Sequence, residues 1–293
     1  MPSVLANGIN VAYETSGKRD APPLLLVMGL GGQLIAWDEA LVEALVVRRF
    51  FVVRFDNRDV GLSTWFDQEG PGDVLGAISG SVRAPYLLGD MAADAAGLLD
   101  ALRLPSAHVL GVSMGGMIAQ VLTIEHPERV RSLVSIMSTT GDRAVGAPHP
   151  EAVQVLLRPP PADRMAAVAQ SVEARRTIGS PGFPFHRERV EAEAGAAYDR
   201  AFHPQGTSRQ LVAILSSEDR TPALEHLDCP ALVIHGEADP LVDVSGGRAT
   251  AAAIPGAQLM LVPGMGHHLP PELFDELADR VAAHAHPHDD RHA

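Results

Sequence analysis

Gly111-Val112-Ser113-Met114-Gly115 follows an apolar run (Ala107, Val109, Leu110) and opens a second run spaced like one face of a helix (Met117, Ile118, Val121, Leu122). A serine at a sharp strand-to-helix turn is held in a strained backbone conformation, with its Oγ lifted above the helix N-terminus. Strand and helix crowd each other two residues to either side, where only glycine or another very small residue fits. The G-x-S-x-G spacing therefore reads as a nucleophile on a strand–turn–helix unit. In a chain with 27 glycines the context counts for more than the five letters. Gly61-Leu62-Ser63-Thr64-Trp65 resembles it but lacks the second glycine.

Outward from that turn, the apolar runs Leu24 to Met28, Phe51 to Phe55, Ala107 to Leu110, Leu133 to Met137, Ala231 to Ile234 and Leu259 to Val262 are continuous rather than alternating. That pattern marks strands buried on both faces. Helix-patterned segments lie between them at Trp37 to Val47, Asp90 to Leu102, Met117 to His126, Val244 to Ile254 and Glu272 to Ala283. Strands alternating with helices imply a parallel sheet with right-handed crossovers. Asn7-Gly8, between Ser3 to Leu5 and Ile9 to Tyr13, predicts an antiparallel hairpin at the start. The expected class is α/β, with a mostly parallel eight-stranded sheet flanked by helices.

From Gly141 to about Thr207 the alternation stops. Pro148, Pro150, Pro159 to Pro161, Pro181 and Pro184 punctuate helical patches at Ala162 to Arg176 and Arg187 to Phe202. A structureless loop of this length is uncommon in a compact domain. The economical reading is a helical cap over the carboxyl ends of the strands. It divides the chain into core residues 1–140, cap 141–207 and a second core part 208–293. The polar end of that part, His284 to His292, is expected to be frayed, and its histidines more often do nothing structural than bind a metal.

Composition narrows the function. With 293 residues and 46% hydrophobic content the chain can bury a full core as one large domain with an insertion. A formal net charge of -13, with Lys18 the only lysine, argues against a nucleic-acid partner. Met1 to Tyr13 lacks a basic segment followed by an apolar core, and no run of about 18 uninterrupted apolar residues occurs. A cytoplasmic protein with no membrane partner is expected. Cys229, the sole cysteine, reads as a small core filler before Pro230. No Walker pattern, dinucleotide-binding glycine fingerprint or metal-spaced His/Cys cluster is found, so no cofactor and no metal are expected.

Five blocks then carry a resemblance: Leu24-Leu25-Leu26-Val27-Met28-Gly29, Asp56-Asn57-Arg58-Asp59-Val60-Gly61-Leu62-Ser63, the serine turn, Glu237-Ala238-Asp239-Pro240, and Pro263-Gly264-Met265-Gly266-His267. With them the chain resembles, over nearly its whole length, an α/β-hydrolase of the aclacinomycin methylesterase-like branch. The resemblance is specific for the fold and for a serine triad, and only weakly specific for the substrate. It implies small or medium, fairly apolar esters, including a methyl ester on a polyketide-like scaffold.

The chemistry supports the same residues. A neutral serine hydroxyl needs a histidine to take its proton and a carboxylate to fix that histidine's tautomer. In the family order serine, acid, histidine, the candidates are Ser113, Asp239 and His267, each after a strand-like run. Asp142 or Asp243 remains open as an alternative acid, and His268 as an alternative base. The developing oxyanion needs donors already in place. Met114 offers its backbone N–H by its position after the nucleophile, and the resemblance puts the second donor on Leu30 in Gly29-Leu30-Gly31-Gly32. Met28 stands where the family usually has histidine. Asp56, Arg58 and Gly61 are expected to organise the adjoining loop. Trp37, Trp65, Phe66, Met137, Phe183 and Phe185 are candidates for a pocket lining or for packing, and Met165 joins Phe183 and Phe185 as a cap side chain acting on substrate choice.

The expected function is hydrolysis of a small-molecule carboxylic ester through an acyl-enzyme. A cofactor-free perhydrolase, a carbon–carbon hydrolase or an acyltransferase would use the same triad. A ligand-binding receptor of this fold with little turnover is the reading from another class. The sequence does not determine oligomeric state.

Overall fold

The structure, a computed structural model, describes residues 1–292. The expected hairpin forms from β1 (Ser3–Ala6) and β2 (Ile9–Ser16), with φ of 47° at Asn7 and 79° at Gly8, the backbone that a two-residue turn demands. The remaining strands are β3 (Pro23–Val27), β4 (Phe51–Phe55), β5 (Ala107–Val112), β6 (Val130–Ile136), β7 (Ala231–Gly236) and β8 (Gln258–Val262). They join one eight-stranded sheet in the order β1-β2-β4-β3-β5-β6-β7-β8, antiparallel at β1/β2 and β2/β4 and parallel elsewhere. The chain runs outward from β3 to β4 and then returns past β3 to β5. Such a reversal opens a crevice at the carboxyl ends of the strands.

The continuous apolar runs are explained by burial on both faces. On β3, Leu25 and Val27 point into one core cluster while Leu24 and Leu26 point into the other. On β5, Ala107 and Val109 face the first and Leu110 and Val112 the second. The alternation of a strand is thus present but hidden, because both faces are apolar. Before the insertion the helices are α1 (Glu39–Val47), α2 (Val74–Ser79), α3 (Leu88–Ala101) and α4 (Met114–Glu125). Asp38 starts α1 by accepting from the Ala40 N–H (2.8 Å), so the helix begins two residues later than the apolar pattern predicted.

Between β6 and β7 the chain forms only helices: α5 (Pro150–Leu156), α6 (Arg164–Ile178), α7 (Arg187–Arg200), α8 (Pro204–Ser216) and α9 (Thr221–Leu224). Residue 207 falls inside α8. The core resumes with β7, α10 (Val244–Ala253), β8 and α11 (Phe274–Ala285). Helices α3 and α4 cover one face of the sheet, and α1 and α11 the other.

The histidine-rich tail differs from the frayed end expected. His284 is buried on α11. His286 stacks on Phe50 with ring centroids 4.6 Å apart, and its Nε2 donates to the Arg48 carbonyl (2.8 Å). Asp289 meets buried His108 at 3.1 Å. Polarity alone misled, because His286 and Asp289 find partners in Phe50, Arg48 and His108. Among the described residues no group of three or more His, Cys, Asp or Glu side chains is placed to hold a metal. Cys229 is buried in the core, where desolvation pushes its thiol up to about 12. Among the described residues no helix is long and apolar enough to cross a membrane.

Candidate active site

Ser113 stands between β5 and α4 with φ 55° and ψ -122°, a conformation foreign to most L-residues. Its N–H donates to the Ile136 carbonyl (2.9 Å) and its carbonyl accepts from Ser138 Oγ (2.9 Å), so the end of β6 and the residues just after it clamp the strained turn. The flanking glycines are required by space. A Cβ on Gly111 would lie 2.1 Å from the Gly115 oxygen, and one on Gly115 would lie 2.0 Å from the Val27 oxygen. Met114 opens α4, and an N–H in a first helical turn has no intrahelical acceptor.

Asp239 follows β7 and His267 follows β8. His267 Nδ1 lies 2.8 Å from Asp239 Oδ2, and His267 Nε2 lies 2.9 Å from Ser113 Oγ. The other oxygen of Asp239 accepts from the N–H groups of Leu241 (2.9 Å) and Val242 (3.0 Å). The carboxylate is therefore buried but satisfied on both oxygens. A proton on Nδ1 of His267 points at Asp239, leaving Nε2 as an acceptor for the Ser113 hydroxyl. The alternative acids sit elsewhere: Asp243 caps α10 by accepting from Ser245 N–H (2.9 Å), and Asp142 accepts from Ala144 N–H (2.9 Å). His268 lines the adjoining cavity, and burial pushes its imidazole down to about 3, which keeps it neutral. His235, buried beside Asp239, bonds the Val242 carbonyl through Nε2 (2.8 Å), and burial lowers its pKa as well.

The loop Gly29 to Gly32 passes directly over the serine. A Cβ on Gly29 would lie 3.2 Å from the Ser113 Cβ. The Leu30 N–H makes no backbone hydrogen bond among the described residues. The loop is held from three sides. Asn57 Nδ2 donates to the Met28 carbonyl (2.9 Å), the Leu34 N–H donates to Asp56 Oδ1 (2.7 Å), and the Gly31 N–H donates to Gln210 Oε1 (2.8 Å). Gln210 in turn donates to the Arg58 carbonyl (2.7 Å), and Arg200 bonds Asp56 Oδ2 (2.7 Å). Asp59 is paired with fully buried Arg209 at 2.7 Å. Burial would raise the Asp59 carboxyl, but bonds from Arg209, the Phe66 N–H and Tyr86 hold it below the ordinary value. Sequence reasoning found the Asp56 to Gly61 half of this network and missed Arg200, Arg209 and Gln210. Helical residues of polar type carry no local mark of a partner more than 140 positions away.

Ser113 and His267 open into a cavity of about 530 Å³. Its walls include Trp37, Val112 and Met137 from the core, Ala174 and Ile178 from α6, and Val190 and Ala194 from α7. Arg175 and Glu193 face it at 3.5 Å from each other. Of the aromatic and methionine candidates, Trp37 and Met137 line this cavity. The others do not: Trp65 stacks on His203 at 4.0 Å, Phe66 packs on the core beside Tyr86, and Phe183 packs on the core cluster of α1 and α11. Phe185 lies under the Arg176 guanidinium, and Met165 is 79% exposed. Side-chain size pointed to them, but on α6 the face that lines the cavity carries Ser171, Ala174, Arg175 and Ile178, while Met165 points to water.

A family model described as alpha/beta hydrolase fold matches residues 22–272. The rhodomycin D methylesterase DauP of Streptomyces sp. (strain C5) is 28% identical over 311 aligned positions, covering 97% of this chain and 98% of that protein. The 3-oxoadipate enol-lactonase 2 of Acinetobacter baylyi is 27% identical, covering 84% and 82%. Among solved structures, the enol-lactonase from Burkholderia xenovorans LB400 superposes with a TM-score of 0.75 at 25% identity, covering 96% of this chain and 98% of that one.

Proposed function

Since this chain belongs to the alpha/beta hydrolase fold family, we propose that it is a serine hydrolase cleaving carboxylic esters of small to medium, mainly apolar molecules. The observation that carries this reading is the unbroken relay from Asp239 through His267 to Ser113, with links of 2.8 and 2.9 Å. His267 Nε2 takes the hydroxyl proton as Ser113 Oγ attacks the ester carbonyl. Asp239 holds the tautomer and stabilises the imidazolium. The N–H groups of Leu30 and Met114 are the proposed donors to the oxyanion. Collapse of the tetrahedral intermediate transfers the proton from His267 to the departing alcohol and leaves an acyl-enzyme. A water activated by the same histidine then releases the acid.

Residues 141–207 are the proposed cap, and 1–140 with 208–293 the catalytic core. The cavity volume lies within the ordinary range of small-molecule pockets. Its mainly apolar walls and the methylesterase relatives favour a methyl ester on a polyketide-like scaffold. The test is turnover of methyl and p-nitrophenyl esters by the wild type and by Ser113→Ala. The variant is expected to fold normally and lose roughly 10⁴-fold or more in kcat. A fluorophosphonate should label the wild type at Ser113 alone. Retained turnover, or labelling elsewhere, would remove the serine mechanism.

A further inference from the structure

The end of α6 and the strap after it, Ile178-Gly179-Ser180-Pro181-Gly182, are laced to the loop Gly264 to His268. The His267 N–H donates to the Ile178 carbonyl (2.7 Å), and the Gly182 N–H donates to the Gly264 carbonyl (2.9 Å). Between these two bonds, Ser180 Oγ accepts from the Gly266 N–H (3.0 Å) and donates to the His268 carbonyl (2.7 Å). One hydroxyl thus holds the backbone on both sides of His267. The two segments touch through their main chains. A Cβ on Gly266 would lie 1.9 Å from the Gly179 oxygen, and one on Gly182 would lie 2.7 Å from the Gly264 Cα. The glycines before His267 are therefore spacers against the strap as well as turn residues.

On its core side the histidine loop is anchored at Met265, whose side chain is fully buried and whose N–H donates to the Val262 carbonyl (3.3 Å), two residues before His267. Gly264 and Gly266 carry no side chains, and Gly264 has φ 71°. The core side supplies the Ala238 N–H to the Met265 carbonyl (3.0 Å). Yet the ring of His267 must meet Asp239 and Ser113 at once, at 2.8 and 2.9 Å. A displacement of about 1 Å in such a relay costs on the order of 10²-fold in rate. Ile178 ends α6, and its carbonyl is one that a helix leaves without an intrahelical partner. The His267 N–H satisfies it. Ile178 and Arg175 also line the cavity, so a ligand there touches the same helix whose end grips the histidine loop.

We propose that Ser180 is a positioning residue for His267, and that the Ile178–Gly182 strap makes the placement of the base depend on how α6 is seated over the pocket. The proposal rests on His267 being the base, and it changes the role given to residues 141–207. They would serve the proton transfer through the backbone of His267 as well as selecting the substrate.

The experiment compares wild type, Ser180→Ala and Ser180→Thr with p-nitrophenyl acetate, each rate being divided by the fraction of Ser113 labelled to completion with a fluorophosphonate. Absence of label at Ser113 in the wild type defeats the functional reading itself, whereas the variants report on the strap alone. In Ser180→Ala, kcat per labelled site should fall about 10- to 100-fold, with KM within about twofold, and Ser180→Thr should recover most of the loss because the hydroxyl is kept. An unchanged kcat in Ser180→Ala overturns the proposal. So does an effect confined to KM, or a threonine variant as slow as the alanine one. If Ser180→Ala does not fold, amide exchange of the wild type in rising urea decides. The His267 amide should lose protection in the same opening as the last turn of α6, and a His267 amide still protected after that turn has exchanged would defeat the coupling.

Discussion

At Ser113 a positive φ places one side chain where no ordinary strand or helix would put it, and the cost, on the order of 1–3 kcal/mol, is met by the clamp from Ile136 and Ser138. The glycines are the most sensitive part of that arrangement. Gly115→Ala would drive a methyl group to 2.0 Å from the Val27 oxygen, a backbone atom in the middle of the sheet that cannot retreat. We expect it to cost on the order of 2–3 kcal/mol and to lower Tm by roughly 4–12 °C, measured by calorimetry. Asp239→Asn probes a different property. The amide oxygen can keep the Leu241 and Val242 N–H bonds, so the fold should survive. The NH₂ would then face His267 Nδ1 and force the proton to Nε2, the wrong tautomer for accepting from serine. A loss of roughly 10³ to 10⁴ in kcat is expected, with circular dichroism unchanged. Near-normal turnover in this variant would exclude Asp239 as the acid.

At the scale of elements, α6 and α7 wall the cavity with Ala174 and Ala194 set among larger side chains such as Ile178, Arg175 and Glu193. Ala194→Phe should fill part of the 530 Å³ cavity and raise KM for bulky esters, while kcat for p-nitrophenyl acetate stays within a fewfold. Met165→Ala, by contrast, should leave the ester preference unchanged, because that side chain is in water. A shared large drop for every ester in Ala194→Phe would mean that α7 carries more than shape. Helix α8 acts from the other side through Gln210 and Arg209. Arg209→Met would leave Asp59 buried without its ion pair, and truncating one partner of such a pair costs about 3–5 kcal/mol. The loss is expected as a lower urea midpoint, accompanied by poorer catalysis because the Gly29 to Gly32 loop is built on this network.

Over the whole molecule, the buried His108, His235 and His284 and the half-buried His268 set a direction for acid stability. Burial pushes His108 and His284 down to about 4 and His268 down to about 3. Each is neutral in the folded chain and takes a proton near pH 6.5 once unfolded. The unfolded state therefore binds more protons below that pH, and stability should fall as the pH drops from about 6.5 toward 4. A urea midpoint at pH 5 equal to or above that at pH 7 would contradict this. By itself the sequence determined the alternation of strands and helices, the opening hairpin, and the serine, acid and histidine now found within hydrogen-bond reach. Each of those features has a local physical mark: an apolar run long enough to be buried twice over, a turn that only Asn-Gly satisfies cheaply, or a glycine where two backbones collide. Only the tertiary structure decided that the histidine tail is docked, that Ala174 and Ala194 rather than Met165 and Phe185 line the cavity, and that Gln210 and Ser180 brace the loops at the site. Those outcomes depend on which way a helix is turned and on partners distant in sequence, and neither leaves a trace in the spacing of neighbouring residues.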